Sequence, residues 1–591
     1  MPGIKTLPNP LIPAPTSDPR FPHVGRRLIQ WDVHIGQIGR RLMSVAYLSV
    51  YYDAIVVGAG FGGCNLLHQL RKLNFHTRVF EEGAGLGGVW YHNRYPGARV
   101  DTKTPFYEFS DPDLYNEWEW SERHPGQAEI LRYFAFVDQK WDLSRDIEFG
   151  ARVTDARWND TTKMWKVQTS RGHCVECRFL ILSMGFAVKK YIPALEGLED
   201  FGGFMCHTAD WPDQAVDLEG KRVAVMGTGA TGVQVIQELG PKVGELVVLQ
   251  RSPNCALPMR QQQLRQCRQT VMGKKMTTDK ASYPKLFAHM RLSLTGSDDP
   301  PTPRNAADDC PVQRQELYER LWAKGGFAPA HGNYQDMMTS LDANTLFYEF
   351  WRDKTRARLT CSAELVEHLA PTRPPFAFGT KRPSLEQHFY EVFNQDNITL
   401  VPLKQNPIAR VIATGIQLAD GTTIALDALI LATGFDAVTG SFTRLNITGT
   451  NQNRDLAAEW RVHTRTHLGM VTAGFPNLFF QYGPQSPTAF ANGPLISEIQ
   501  AEWILATMVY MRERGYATVD VKPEMEERWA QVTDEACART LMGSNETTWY
   551  MGGNVPGKKR EALGYMGGLP KYQEHLRECV KGGWEGFVMD G

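Results

Sequence analysis

Two stretches of the 591-residue chain carry glycines at the same spacing: Gly58, Gly60 and Gly63 in "IVVGAGFGGC", and Gly227, Gly229 and Gly232 in "AVMGTGATGV". Each comes after an apolar run and opens a segment with aliphatic residues on one face, so each reads as strand, tight turn and helix. Glycines so placed let the backbone approach a pyrophosphate at a helix N-terminus, where unpaired N–H groups favour anions. The spacing alone is weak evidence, because any tight turn uses glycine; the strand-turn-helix context strengthens it. The next strand ends differently in the two copies. About twenty residues past the first, the strand "HTRVF" runs into Glu81, where a carboxylate accepts a ribose 2′-hydroxyl and so selects a dinucleotide without a 2′-phosphate, FAD or NAD. After the second, "ELVVLQ" runs into Arg251, which suits the 2′-phosphate of NADPH, a solvated surface arginine being the alternative.

The FAD-type site is expected to use Gly58, Gly60, Phe61, Gly63 and Glu81. The NADPH-type site is expected to use Gly227, Thr228, Gly229, Ala230, Thr231, Gly232, Gln234 and Arg251. A chain with both is a flavoprotein that takes hydride from NADPH, and its electrons need an outlet. A disulfide acceptor would need a redox-active cysteine pair after Glu81, and that stretch has none; molecular oxygen is the better acceptor. No H-E-x-x-H, G-x-S-x-G or G-x-x-x-x-G-K-[ST] pattern is present, and Cys174 and Cys177 form a C-x-x-C without a second pair, so no metal site is expected.

The elements around these loops imply an α/β fold of two dinucleotide-binding Rossmann-like domains, a small antiparallel β layer and a helical insertion. "ARVTDARWNDTTKMWKVQTS" supplies the short alternating strands of that layer, and residues 260–375 turn helical and irregular. The expected domains are an N-terminal extension, residues 1–44; a discontinuous FAD-binding domain, residues 45–190 and 435–591; and an NADPH-binding domain, residues 191–434, which includes the insertion. Lys and Arg total 64 against 65 Asp and Glu, a net charge of −1, so no field draws nucleic acid to the surface. Ten cysteines are too few for a disulfide scaffold and suit a reducing compartment. The most apolar window is broken by Asp53 and glycines, so no transmembrane segment is expected. Residues 1–50 are Pro-rich and then basic, as some mitochondrial leaders are, but Asp18 and Asp32 count against that reading, and a cytoplasmic monomer or weak homodimer is expected.

Two longer stretches are more specific. "GGVWYHNRYPGARVD" ends on Asp101, and "FGGFMCHTADWP" carries Phe201, Gly203, His207, Trp211 and Pro212 as F-x-G-x-x-x-H-x-x-x-W-P. Both resemble fingerprints of the type I Baeyer–Villiger monooxygenases. With "GTKRP", "ILATGFDAVTG" and "TTWYMGGNVPGK", the similarity runs from about Tyr52 to Gly568 and looks like the fungal branch of that family. His92 departs from a frequent tryptophan and Val100 from a frequent cysteine. The resemblance implies that NADPH reduces FAD, that O2 forms a flavin peroxide, and that a ketone becomes an ester or lactone. It assigns the catalytic cation to Arg382, positioned by Asp101, because a guanidinium that cannot lose its proton steadies both oxyanions. It adds Gly88, Val89, Trp90, Tyr95, Tyr107, Lys381 and Trp549 to the cofactor-binding residues, with Trp549 covering the nicotinamide, and makes His207 and Trp211 a linker device.

The branch similarity further implies a bulky cyclic or polycyclic ketone. Phe106, Tyr107, Phe109, Phe490 and Trp549 are expected to line a broad apolar wall, with core packing as the alternative for several of them. Oxygenation at nitrogen or sulfur, and a catalytically inactive dinucleotide-binding protein that senses redox state, are the two competing readings.

Overall fold

The computed structural model describes residues 50–264 and 280–591. The N-terminal extension and the leader-like segment lie outside the described residues.

Two parallel sheets carry the two glycine loops. In the first, Ile147–Glu148, Thr77–Phe80, Val50–Val57, Cys174–Leu182 and Leu478–Phe480 lie side by side, all parallel. The run Ala54, Ile55, Val56, Val57 is apolar throughout because both faces of this sheet are covered. Ala54 and Val56 enter a core with Val79, Phe179 and Ile181, whereas Ile55 and Val57 point the other way, towards Phe80, Leu180 and Leu182. The first half of Cys174–Leu182 pairs antiparallel with Met164–Thr169, and that strand with Val153–Asn159. This is the small β layer read from the sequence. The helix Phe61–Lys72 packs beside the 22-residue helix Gly493–Arg514, which is apolar and buried on nearly every side, as a core helix must be.

The second sheet has five parallel strands in the order Ile398–Pro402, Glu245–Gln250, Arg222–Met226, Ala428–Leu431 and Phe204–His207. One face meets the helix Ala230–Leu239, and the antiparallel strands Ile408–Ile412, Gly415–Leu418 and Thr423–Ala425 pack on the other.

Within residues 260–375 the helices divide between the two cores. Leu317, Tyr318, Phe347, Tyr348 and Trp351, from Pro311–Lys324 and Leu341–Arg356, join the core of the second sheet. Tyr283, Phe287 and Met290, from Tyr283–Leu292, instead join the core of the first. The stretch therefore reaches across the groove between the sheets. The chain also crosses that groove beside the second sheet, where Lys190 and Phe435 form an antiparallel bridge and Tyr191 N donates to Gly434 O at 2.9 Å. Among the described residues, no helix is long and apolar enough to cross a membrane.

Candidate active site between the two nucleotide folds

The two glycine loops are built alike. Gly58 and Gly227 hold φ of +103° and +107°, and a Cβ on either would lie 2.5 Å from a carbonyl oxygen of the adjacent strand's exit, Ser183 or Ala432. A Cβ on Gly63 would overlap the carbonyl oxygen of Gly58, and one on Gly232 that of Gly227, so the third glycine seats each helix on its turn. The middle glycines face open space or near to it: Gly60 has only Gly88 within 4 Å and Gly229 has nothing. Each helix, Phe61–Lys72 and Ala230–Leu239, starts at this middle glycine with no side-chain cap, leaving its first N–H groups for a ligand. This cradle fits a dinucleotide pyrophosphate at both loops.

Glu81 is 4% exposed and fixed by two backbone donors, Ala59 N at 2.7 Å and Gly83 N at 2.6 Å. At the second fold, Gln250 is buried and donates to His368 O, Arg251 is exposed, and Lys381 is half-buried over the ring of Phe376. Burial, then the charges of Arg251 and Lys404, push the Lys381 ammonium down to about 8. Thr228 turns back to donate to Ser252 O, so its hydroxyl braces the loop, while Ala230 and Thr231 open the helix.

The aromatic stretch after Glu81 joins the two folds. Gly88 lies against Gly60, and Val89 is half exposed on the wall of a cavity between the folds. Trp90 Nε1 donates to Tyr107 Oη at 3.0 Å. Tyr95 Oη donates to Gln234 Oε1 at 2.9 Å, and Gln234 Nε2 returns a bond to Arg99 O at 2.9 Å. Tyr95 and Gln234 thus staple the loop to the helix Ala230–Leu239. The loop then delivers Asp101 to Arg382, 281 residues away: Asp101 Oδ2 accepts from Nε at 3.0 Å and from Nη2 at 2.8 Å, and Ala489 O takes Nη1 at 2.8 Å. The guanidinium lies 4.8 Å from the centre of the Phe327 ring. Burial opposes its charge, but Asp101 more than compensates and raises its pKa.

The cavity, of about 470 Å³, runs from the first glycine loop past Glu81 to Asp101 and Arg382. Of the aromatic wall expected from the sequence, Phe106, Tyr107 and Phe490 line it. Phe109 does not: it is 1% exposed and packs on Phe61 and Trp141 in the core. Nor does Trp549, whose ring stacks on Tyr550 at 3.9 Å and on the cavity-lining Phe186 at 5.6 Å. The sequence reading missed Thr295, Ser297, Asp298, Phe327 and His331, all of which line the cavity. The polar run "LTGSDDPPTP" reads as a solvated loop, and nothing in its composition tells a cavity-facing loop from a surface one.

His207 ends the edge strand of the second sheet. Its Nδ1 accepts from Ala209 N at 3.1 Å and its Nε2 faces Gly434 O at 3.0 Å, which sets Nε2 as the protonated nitrogen. Burial lowers its pKa, so it is a neutral clamp on the returning crossing. Trp211 packs edge-on against Phe204, also in that strand.

Comparison with known proteins agrees with this geometry. The family model described as pyridine nucleotide-disulphide oxidoreductase matches residues 52–278. Among curated proteins, cyclopentanone 1,2-monooxygenase from Comamonas sp. is 40% identical over 91% of this chain and 96% of its own length. A phenazine N-monooxygenase from Lysobacter antibioticus is 34% identical, over 91% of this chain and 97% of its own length. Among solved structures, cyclohexanone monooxygenase in a closed form superposes with a TM-score of 0.87 at 35% identity, covering 92% of this chain and 100% of that one. An oxidised steroid monooxygenase bound to NADP gives 0.85 at 36% identity, with coverage of 92% and 100%. With two nucleotide cradles, a cation held at the end of the first, and this similarity along nine-tenths of its length, the chain belongs to the FAD- and NADPH-dependent Baeyer–Villiger monooxygenases.

Proposed function

We propose that this protein inserts one oxygen atom from O2 beside the carbonyl of a bulky cyclic or polycyclic ketone, giving an ester or lactone. The observation that carries this reading is the Arg382–Asp101 pair at the far end of the cavity that begins on the first glycine loop. FAD, once bound and reduced by NADPH, supplies the activated oxygen. Arg382 offers that end of the cavity a charge that stays protonated throughout, steadying the oxyanion that forms when the carbonyl is attacked. Asp101 and Ala489 O hold three of its nitrogens, so little reorganisation is needed when the substrate enters. Residues 45–190 with 435–591 form the FAD-binding part and residues 191–434 the NADPH-binding part, except that the helix Tyr283–Leu292 joins the core of the first sheet, and Arg251 and Lys381 take the 2′-phosphate. A cytoplasmic monomer or weak homodimer completes the reading. The free cysteines among the described residues suit the reducing compartment of that reading.

Phe106, Tyr107 and Phe490 support the bulk of the substrate, since each ring methylene buried against them adds about 0.8 kcal/mol. The ratio kcat/KM should therefore rise from cyclohexanone to a polycyclic ketone, measured as lactone formed. Best turnover of the smallest ring would remove the bulky-ketone assignment. Similarity to an N-monooxygenase supports heteroatom oxygenation as the second reading, and thioethers and tertiary amines offered beside the ketones separate the two.

The phosphate assignment has a pH signature. Lys381 sits near 8 in the free site, and an anion binds its protonated form, so binding above that pH must take up a proton. The Kd for NADP+ should be flat from about pH 7 to pH 8, where the phosphate is fully ionised, and rise by up to about tenfold per pH unit above that. Lys381→Arg should flatten that rise, and Arg251→Ala should weaken NADPH relative to NADH by about 1–3 kcal/mol. A Kd that stays level well above pH 8 in the unaltered protein would take Lys381 out of the phosphate site.

A further inference from the structure

We infer that His331, with Thr295 and Ser297, forms a polar subsite in the substrate cavity that takes a neutral hydroxyl or second carbonyl on the ketone, so that oxygenated cyclic ketones are the preferred substrates. The inference rests on the ketone-oxidising reading and concerns a part of the cavity to which neither the sequence motifs nor the nucleotide sites assign a task.

His331 closes the short helix Ala328–His331, which comes after the left-handed pair Gly325 and Gly326 and then Phe327. Its imidazole stacks on Phe327, with ring centres 5.3 Å apart and planes 25° from parallel, and Phe327 in turn lies 4.8 Å from the Arg382 guanidinium. Arg382 and His331 thus both pack on the Phe327 ring, which ties the imidazole to the neighbourhood of the cation that faces the reacting carbonyl. The Nδ1 of His331 is 3.3 Å from Thr295 Oγ1, and Thr295 Oγ1 is 3.1 Å from Ser297 Oγ. Nε2 makes no hydrogen bond among the described residues, and the side chain lines the cavity.

The group is uncharged. Burial, and next the charge of Arg382, push its pKa down to about 4, so at neutral pH the ring carries one N–H and one lone pair. A second imidazole, His124, lines the same cavity, is 1% exposed, and has its Nδ1 buried without a partner. Its pKa is likewise pushed down by burial, to about 3. An imidazole nitrogen that a bound ligand sets against hydrocarbon is costly, because an unpaired buried polar group is disfavoured wherever the ligand offers it no hydrogen bond. A site of this kind rejects an analogue that lacks the matching hydroxyl more strongly than an apolar pocket rejects one that carries it.

The surrounding charges specify a neutral substituent. Lys103 Nζ donates to Asp298 Oδ2 at 2.9 Å, Lys324 pairs with Asp299, and Asp101 is taken by Arg382. Arg123, on the same wall, donates to the carbonyls of Arg260 and Lys324. Each of these carboxylates has its cation, so an ammonium on the substrate finds no free counter-charge there, and Arg123 spends its donors on two carbonyls, whereas a hydroxyl finds a donor and an acceptor.

The test compares 4-(4-hydroxyphenyl)cyclohexanone with 4-phenylcyclohexanone on the holoenzyme. The readout is the ratio of their two kcat/KM values within one protein, so a general loss of activity cancels. The unaltered enzyme is expected to favour the phenol by about tenfold, the equivalent of one neutral hydrogen bond. His331→Phe keeps the stack on Phe327 and should bring the ratio to within about twofold of unity, while His331→Asn, which retains a donor and an acceptor, should hold an intermediate value. A ratio near one in the unaltered enzyme, or an unchanged preference in His331→Phe, overturns the subsite. The Kd ratio for the same two ketones, from titration of the flavin absorbance with NADP+ bound, decides the point even when neither is oxygenated. Failure of both to give ester would count against the oxygenation reading, and the Kd ratio would still judge His331.

Discussion

Arg382→Ala is expected to leave NADPH-dependent bleaching of the flavin in place and to reduce ester formation by about 10³-fold, the scale on which removing one preorganised oxyanion donor acts. The two effects separate because hydride transfer involves the second glycine loop and the nicotinamide, whereas Arg382 sits with Asp101 and Ala489 at the end of the cavity. Arg382→Lys keeps the charge but cannot span Asp101 and Ala489 O with a planar fork, so it should recover only part of the activity. Anaerobic reduction and then one exposure to oxygen measures each step in turn. Near-normal ester yield from Arg382→Ala in that single turnover would remove Arg382 from the chemistry, and slow bleaching would show that the variant had disturbed the nucleotide sites instead.

Gly232→Ala and Gly229→Ala, three residues apart in one loop, should fail in opposite ways. A Cβ on Gly232 overlaps the Gly227 carbonyl, so the helix Ala230–Leu239 must lift off its turn. The expected result is a fall in Tm of several degrees, a loss of a few kcal/mol as for other overpacked positions, together with weakened NADPH binding. Nothing lies within 4 Å of a Cβ on Gly229, so that variant should melt with the unaltered protein and lose only the close approach of NADPH. Thermal unfolding monitored by flavin fluorescence, with and without NADP+, distinguishes them. Equal Tm losses, or a Gly229→Ala variant that binds NADPH normally, would contradict the assignment of this loop.

The parts of this site that are legible in the sequence are the local ones. Gly58 to Gly63, and Gly227 to Gly232, announce themselves because a turn, a helix start and a close approach impose glycine at fixed offsets. The run Ala54 to Val57 is apolar at every position because its sheet is covered on both faces, and that too is a local signal. Asp101 and Arg382 are different: 281 residues separate them, and in the sequence only family resemblance pairs them, whereas the fold brings them into contact. Phe109 and Trp549 fall outside the cavity wall expected of them because composition cannot tell a ring facing a cavity from one packed beneath it. For the same reason Thr295, Ser297 and His331 escape a sequence reading. Thr295 and Ser297 belong to a polar segment seated by the packing of Gly296 against Asn492 and Leu495, and His331 belongs to a separate stretch that follows the Gly325–Gly326 turn before Phe327.

The central claim is that this chain places one oxygen atom from O2 beside a ketone carbonyl. The most direct measurement supplies purified protein, FAD, NADPH and a cyclic ketone with 18O2 and analyses the product by mass spectrometry. The expected result is an ester or lactone carrying a single 18O in the ring or ester position, its carbonyl oxygen unlabelled, with one NADPH consumed per product. NADPH oxidation that yields only labelled hydrogen peroxide, with no labelled ester or lactone from any cyclic ketone tried, would contradict it.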